Sequence, residues 1–482
     1  MKRKASALTL VMALLFSFLF HGLLVQPVEA QSFETIFIRA DGSVEGTDKI
    51  QRVGNVYTFT ANTYASIVVE RDNIMVDGGG YTIHGTGIGN GTDLSGRKNV
   101  TVKNLKITQF ATGIYIYDYS NSGNNTITGN NMVNCGYGLY MDGSHNNTII
   151  GNNFNDNDCG VFTSASHFNV FKNNQLSDNQ RNLIVQGGYL AAFVQYMDTS
   201  NTMNGKPIYY WIEEQDKTVP SDAGYIALIG CESIKVQNLK LTGNGHGILL
   251  FSTKDSTITR NNIKGNDMGI FFLDSLNITI SENVITNNGI GIHIGGTFPV
   301  YSQNNMIHGN NITNNDVGIY IFDCSNNTIY RNNIANNGYG IRINGLGGEA
   351  ANNLIHHNNF VNNTADVPGH WHTIVFQEVW VPPPRNVWDY SKEGNYWSDY
   401  VTRYPHATEI DGSGIWDTPY VISENNKDSY PLMNPVVIPE LPDEAGEPEP
   451  FLTIWVAAIA AIVVGVGCIV YFAKFRKKSG KE

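Results

Sequence analysis

Between Val76 and Ile355 short apolar stretches alternate with polar punctuation, and the alternation is periodic. Each stretch runs two to five residues, carries its apolar side chains at every second position and is bounded by Asn or Gly. A period of two marks a strand with one buried face. The block Asn125-Thr126-Ile127-Thr128-Gly129-Asn130-Asn131 returns 22 residues later as Asn147-Thr148-Ile149-Ile150-Gly151-Asn152-Asn153, and again as Asn327-Thr328-Ile329-Tyr330-Arg331-Asn332-Asn333. Taking the apolar centre of each block as an anchor gives Val76, Val102, Ile127, Ile149 and Val170, then Val236, Ile258, Ile280, Ile307, Ile329 and Ile355. Three stretches recur per unit, as in Thr328-Ile329-Tyr330, Ile334 and Gly340-Ile341-Arg342-Ile343. Asn and Gly between them supply the positive φ that tight corners demand. Three strands and three corners make one coil. A single coil cannot bury its apolar face, so coils must stack, Ile on Ile inside and Asn on Asn at corners. The pattern predicts a parallel β-helix of roughly eleven to thirteen coils. A leucine-rich solenoid is excluded because neither its LxxLxLxxN pattern nor a helical segment is present.

Composition agrees. Asn numbers 58 and Gly 49, both poor helix formers, while charged residues are only 15%. The net charge of −12 speaks against non-specific nucleic-acid binding. Cys135, Cys159, Cys231 and Cys324 are widely spaced and read as buried free thiols, with a Cys135–Cys159 disulfide as the alternative. Residues 1–30 combine a basic start, an apolar middle and a small residue at Ala30, and read as a cleaved export signal. Residues 451–473 form an apolar run that ends in Lys474, Arg476, Lys477 and Lys478. A transmembrane helix is expected there, with 474–482 as a cytoplasmic tail. The remaining divisions are an N-terminal cap at 31–65, one β-helix lobe at 66–188, an elaborated coil or side-hairpin at 189–223, a second lobe at 224–365, a Trp-rich cap at 366–434 and an acidic, Pro-rich stalk at 435–450.

These repeats, the insert Asn204-Gly205-Lys206-Pro207-Ile208-Tyr209-Tyr210, and the endings Gly394-Asn395-Tyr396-Trp397-Ser398-Asp399-Tyr400, Asp417-Thr418-Pro419-Tyr420 and Tyr430-Pro431-Leu432-Met433 resemble the NosD-type β-helix family, also described as the carbohydrate-binding and sugar-hydrolase (CASH) β-helix. The resemblance implies a right-handed, pectin-lyase-like solenoid. Members include a periplasmic accessory for copper-site assembly, whose partners would extend to a transporter complex. The expected C-terminal anchor departs from a freely periplasmic accessory.

Candidate chemistry sits on the coil faces. The turn after the third strand offers Asp118, Asp142, Asp274 and Asp323; Asp118 and Asp142, in adjacent coils, would stand about 5 Å apart, near the separation of a retaining glycosidase pair. Asp is also a favoured turn residue, and Ser164, Gly295 and Asn344 occupy the corresponding turns. Tyr115, Tyr117, Tyr140 and Tyr320 are expected on the outer face as stacking surface for a glycan, with Asp274 and Asp323 beside them. His145 and His167 would stack about 5 Å apart, and imidazole pairs suit copper or zinc. His308, Tyr330 and His356 form another outward ladder, and His370-Trp371-His372 a third cluster. Asp411 to Asp417 has too few acidic positions for a calcium loop and reads as a turn in the cap. Sequons at Asn90, Asn99, Asn124, Asn146, Asn277, Asn311, Asn326 and Asn362 offer glycan acceptors in an exported protein, though an Asn-Thr-rich repeat also produces them.

Two function classes lead. One is an anchored surface module that binds a polysaccharide or cell-surface glycan along its face, with no cofactor. The other is a copper-delivery accessory. A polysaccharide lyase or glycoside hydrolase stands third, because no decisive acid–base constellation is visible.

Overall fold

The computed structural model describes residues 33–117, 123–297, 301–345, 351–363, 385–423 and 425–438, and the backbone at 374–376. The signal segment, most of the stalk, the apolar run at 451–473 and the tail lie outside these residues. Among the described residues no helix is long and apolar enough to cross a membrane. The chain folds as an all-β, right-handed-type parallel β-solenoid of about 13 turns. Each coil has three strands, as in Thr126–Thr128, Asn131–Val133 and Tyr137–Asp142. We call the stacks of the last kind the first wall and the other two, in chain order, the second and third walls. Within the coils, strands pair in parallel with their counterparts one coil on, so Ile127 lies between Val102 and Ile149. In the second lobe Val236, Ile258, Ile280, Ile307, Ile329 and Ile355 form one column, fully buried.

One anchor is corrected. The partner of Ile149 is Phe171, and Val170 pairs with Thr148 on the outer face. The unit length stays 22 there, and a buried phenyl ring continues the aliphatic column. A slip of one residue exchanges inside for outside, so the adjacent Val and Phe cannot both serve.

The corners hold by two devices. Residues such as Asn99, Asn124 and Asn146 adopt φ near +56°, the left-handed region that Asn tolerates. Beside them run ladders of buried Asn side chains. Asn332 is typical: its Oδ1 accepts from the Asn310 backbone N–H at 3.1 Å, and its Nδ2 donates to Asn358 Oδ1 and Ile307 O at 2.9 Å each. Each amide thus satisfies its own polar atoms and the corner backbone of the previous coil, so burial leaves nothing unpaired. The Gly at the second position of most first-wall strands has a separate reason. A Cβ on Gly138 would lie 2.6 Å from the Gly160 carbonyl oxygen, so the coils could not close to strand spacing.

The two lobes share a sheet. Thr202–Met203 ends the third wall of the first lobe and turns through a tight hairpin into Lys206–Ile212, which opens the first wall of the second. The reversal flips the sheet's faces. Ile208, Tyr210, Tyr225, Ala227, Leu249, Phe251, Phe271 and Leu273 join the first lobe's core, while Ile226, Leu228, Ile248 and Leu250 join the second's. Tyr225–Ile229 and His246–Phe251 are therefore buried on both faces. Phe193 seals the seam, its ring 4.5 Å from that of Phe251 and its carbonyl accepting from the Tyr210 hydroxyl. The stretch expected as an insert thus both finishes one lobe and starts the other.

The far end closes on tryptophan. Trp397 continues the Phe360 position, 4.5 Å from that ring, and Tyr420 covers it at 4.0 Å. Two Asn ladders end here as well. Asn386 donates to Asn426 and Asn395 to Asp428, and the indole N–H groups of Trp388 and Trp397 donate to the same two terminal residues at 3.0 and 2.9 Å. Trp371 and Trp380 lie outside the described residues. The loop at Asp411–Asp417 is a hairpin of the cap, with Asp417 accepting from Thr408 N and Oγ1.

Candidate functional site

Two outward columns climb the first wall of the first lobe. Asp93, Tyr115, Tyr140, Phe162 and Ile184 lie opposite one another in successive coils. Two positions along the strand, Tyr117, Asp142, Ser164 and Gln186 do the same. An aromatic column thus stands beside a polar one, at the coil spacing. Tyr115 stacks on Tyr140 at 5.3 Å, and Tyr140 on Phe162 at 4.7 Å. Tyr137 braces both Tyr140 and Phe162 edge-on, at 5.3 and 5.5 Å. Because Tyr115, Tyr140 and Phe162 turn their faces to one another, the column offers ring edges and hydroxyls; Tyr117, at 41% exposure, is the most open ring. Burial, followed by the charges of Asp93, the Tyr117 hydroxyl and Asp142, raises the Tyr115 pKa and keeps it a donor.

Asp142 stands in register with Tyr117 and Ser164, and Asp118, one residue beyond Tyr117, lies outside the described residues. Asp274 and Asp323 also sit one residue past the Asp142 position, since their predecessors Leu273 and Phe322 hold that register. Both adopt left-handed corners, φ 50° and 48°, and both are 7% exposed. Asp274 accepts from Thr297 N at 2.6 Å and Oγ1 at 2.5 Å. Both shape corners, because a short side chain that tolerates positive φ is what the corner selects.

Tyr320 belongs to the corresponding outward column of the second lobe, which reads Leu249, Phe271, His293, Tyr320 and Arg342. His293 lies 5.0 Å from Phe271 and 4.8 Å from Tyr320, and the Arg342 guanidinium sits 5.6 Å over the Tyr320 ring. The Tyr320 hydroxyl accepts from Asn344 Nδ2 at 2.9 Å. Burial pushes His246 down to about 4 and His293 to about 3, so both imidazoles are neutral near pH 7. The sequence reading passed over His293, Phe271 and Phe162, although each holds the same position after the Gly-Ile or Gly-Val pair as Tyr115 and Tyr320.

His145 and His167 do meet, ring on ring, at 3.6 Å and 24°. His145 Nδ1 accepts from the His167 backbone N–H at 3.2 Å. Burial lowers the pKa of both. The second ladder is longer than expected: His308, Tyr330, His356 and Tyr390 follow one another at 4.9, 5.6 and 5.2 Å. His356 Nδ1 faces His357 Nδ1 at 2.5 Å, and His357 Nε2 meets Glu393 at 2.6 Å. His370 and His372 lie outside the described residues. The sequon residues Asn99, Asn124, Asn146, Asn277 and Asn326 are exposed left-handed corners, as is Asn362. Asn90 and Asn311 are half-buried strand residues already bonded to Asp93 and Asn333. All four described cysteines are buried free thiols, with Cys135 pushed up to about 11 and Cys159 to about 12 by burial.

The family model described as periplasmic copper-binding protein (NosD) matches residues 66–206 and 193–402. No curated protein matches the chain. Among solved structures, a mutant of the periplasmic alginate epimerase AlgG is 15% identical, over 73% of this chain and 82% of that one, with a TM-score of 0.32. The A-module of the Azotobacter vinelandii mannuronan C-5 epimerase AlgE6 is 13% identical over 69% and 87%, TM-score 0.27. A tailspike protein mutant of E. coli bacteriophage HK620, in complex with pentasaccharide, is 14% identical over 70% and 60%, TM-score 0.29. Likeness at this level carries nothing about ligand or chemistry.

Copper, the metal in the family's description, does not fit the described residues as a complete site. Imidazole lone pairs lie in the ring plane, so the stacked rings of His145 and His167 direct theirs alongside one another and not at a common ion. His145 Nδ1 is already engaged, and the four described cysteines are shut in the core. Among the described residues no group of three His, Cys, Asp or Glu gathers to hold a metal. The family itself is settled on other grounds: with coils of this build and a match extending from residue 66 to residue 402, the chain belongs to the NosD family.

Proposed function

We propose that this chain is an exported β-solenoid, held at a membrane by residues 451–473, that binds a polysaccharide along the first wall of its first lobe. The observation that carries the reading is the pairing of two columns in register, aromatic beside polar. A linear glycan repeats its hydroxyls along one axis, and the wall repeats hydroxyl, carboxylate and amide groups along another at fixed steps. Tyr115, Tyr140, Asp142, Ser164 and Gln186 supply bonding edges, and Tyr117 supplies a ring face. Binding without turnover is the expectation, since the residues in register with Asp142 are Tyr117 and Ser164.

The test is retention of the full-length protein on immobilised polysaccharides, with product formation followed in parallel. Replacing Tyr115 and Tyr140 together with Ala should weaken retention roughly tenfold, with the β-sheet circular dichroism unchanged. Undiminished retention would remove the wall from the reading. Cleavage products abolished by Asp142→Asn would move the protein among enzymes. Near-stoichiometric copper, lost on His145→Ala with His167→Ala, would favour delivery of metal instead.

A further inference from the structure

At one corner of the first lobe the chain departs from its own rule. In successive coils of the first lobe the residue before the buried rung that leads into the second wall is Asn73, Asn99, Asn124 and Asn146, at φ 55° to 57°. In the second lobe it is Ser233, Asp255, Asn277, Asn304, Asn326 and Asn352, again at positive φ. In the coil after Asn146 it is Phe168, at φ 59°. A bulky side chain in the left-handed region is strained, and here the strain leaves Phe168 38% exposed. Strain kept with the ring still open to solvent points to use.

The surroundings say what the use is. Tyr196, one coil on and 50% exposed, lies 6.2 Å from Phe168 with its ring within 17° of parallel. His167 meets Phe168 edge-on at 4.7 Å and stacks on His145. Tyr189, 45% exposed, donates its hydroxyl to Ala165 O at 3.0 Å, three residues before Phe168. Open aromatic rings in near-parallel array, rimmed by imidazoles and a phenol, suit a flat ligand with an apolar C–H face and a hydroxylated edge. We infer that the Phe168–Tyr196 corner is a stacking subsite for a pyranose ring of a neutral glycan. It shares its ligand class with the wall described above but none of its residues. A lipid surface is the poorer fit: the ring partners of Phe168 among the described residues are His167 and Tyr196, and no Lys or Arg lies over either open ring.

Phe168→Asn restores the residue that the other coils use, and this makes the test discriminating. Full-length protein is passed over immobilised cellulose, mannan and alginate, and its Tm is measured. The expected result is retention on cellulose or mannan that falls at least tenfold in Phe168→Asn and in Tyr196→Ala. The Tm of Phe168→Asn should equal or exceed that of the parent. Tyr115→Ala with Tyr140→Ala separates the two surfaces: loss of retention in that variant alone sinks the corner and leaves the wall, and loss in the corner variants alone does the reverse. A lower Tm in Phe168→Asn would show that the ring serves packing, and overturns the subsite. So would retention on neither neutral matrix, or capture by phosphatidylcholine vesicles that both corner variants abolish.

Discussion

Asn332 commits its whole amide to the coils on either side, and the same is true of each interior rung. The last rung has no following coil, and there the residue changes. Asp428 ends one ladder by accepting from Asn395 N at 2.7 Å, Trp397 Nε1 at 2.9 Å and Tyr430 N at 3.1 Å. Burial pushes its carboxyl up to about 7 against the pull of these donors. A carboxyl in the unfolded chain titrates near 3.9. The native state therefore holds the proton more tightly across pH 4 to 7. The stability this group contributes is fully present below about pH 4 and is lost as pH rises through about 7. Urea unfolding between pH 5 and 8 should show a decline of a few kcal/mol that Asp428→Asn flattens; parallel slopes in the two proteins would contradict the assignment. Such a residue could not be singled out in the sequence, where Asp428 sits in a polar stretch. The interior rungs could, since they repeat as Asn-Asn.

Strands are where the sequence was most readable, and its two failures there have physical causes. A three-residue strand carries one inward side chain, so the Val170-Phe171 pair leaves register to be decided by which residue fills the column. Phe171 does, and Phe171→Ala should cost about 3–5 kcal/mol in chemical denaturation, whereas Val170→Ala should cost under about 1. The reverse order would return the column to Val170. The second failure was the shared sheet. Its signal was present, because Tyr225-Ile-Ala-Leu-Ile229 and Gly247-Ile-Leu-Leu-Phe251 are unbroken apolar runs, unlike the alternating Gly113-Ile-Tyr-Ile-Tyr117. An unbroken run marks a strand covered on both faces. The candidate site was legible as a set of aromatic positions, but not as ring contacts. Stacking that turns Tyr115, Tyr140 and Phe162 face to face depends on side-chain rotamers, on which the repeat is silent.

For the whole molecule, the described residues up to Val436 form one compact unit, distinct from the chain that follows. The anchor proposal makes a simple demand of them: a chain ending at Pro450 should stay in the soluble fraction with β-rich circular dichroism, while the full chain sediments with membranes. Sedimentation of the shortened chain would place the attachment elsewhere. The shared sheet reaches further. Within either lobe each coil presents the same interface above and below, so a gene could gain or lose a whole coil and restore every contact. At the hairpin joining Met203 to Lys206 that freedom ends. Leu249, Phe251, Phe271 and Leu273 are the floor of one lobe and the outer surface of the other's first wall. Neither lobe can be transplanted without baring that surface. The lineage is thus free to change the length of each arm, but the joint between the arms is inherited whole.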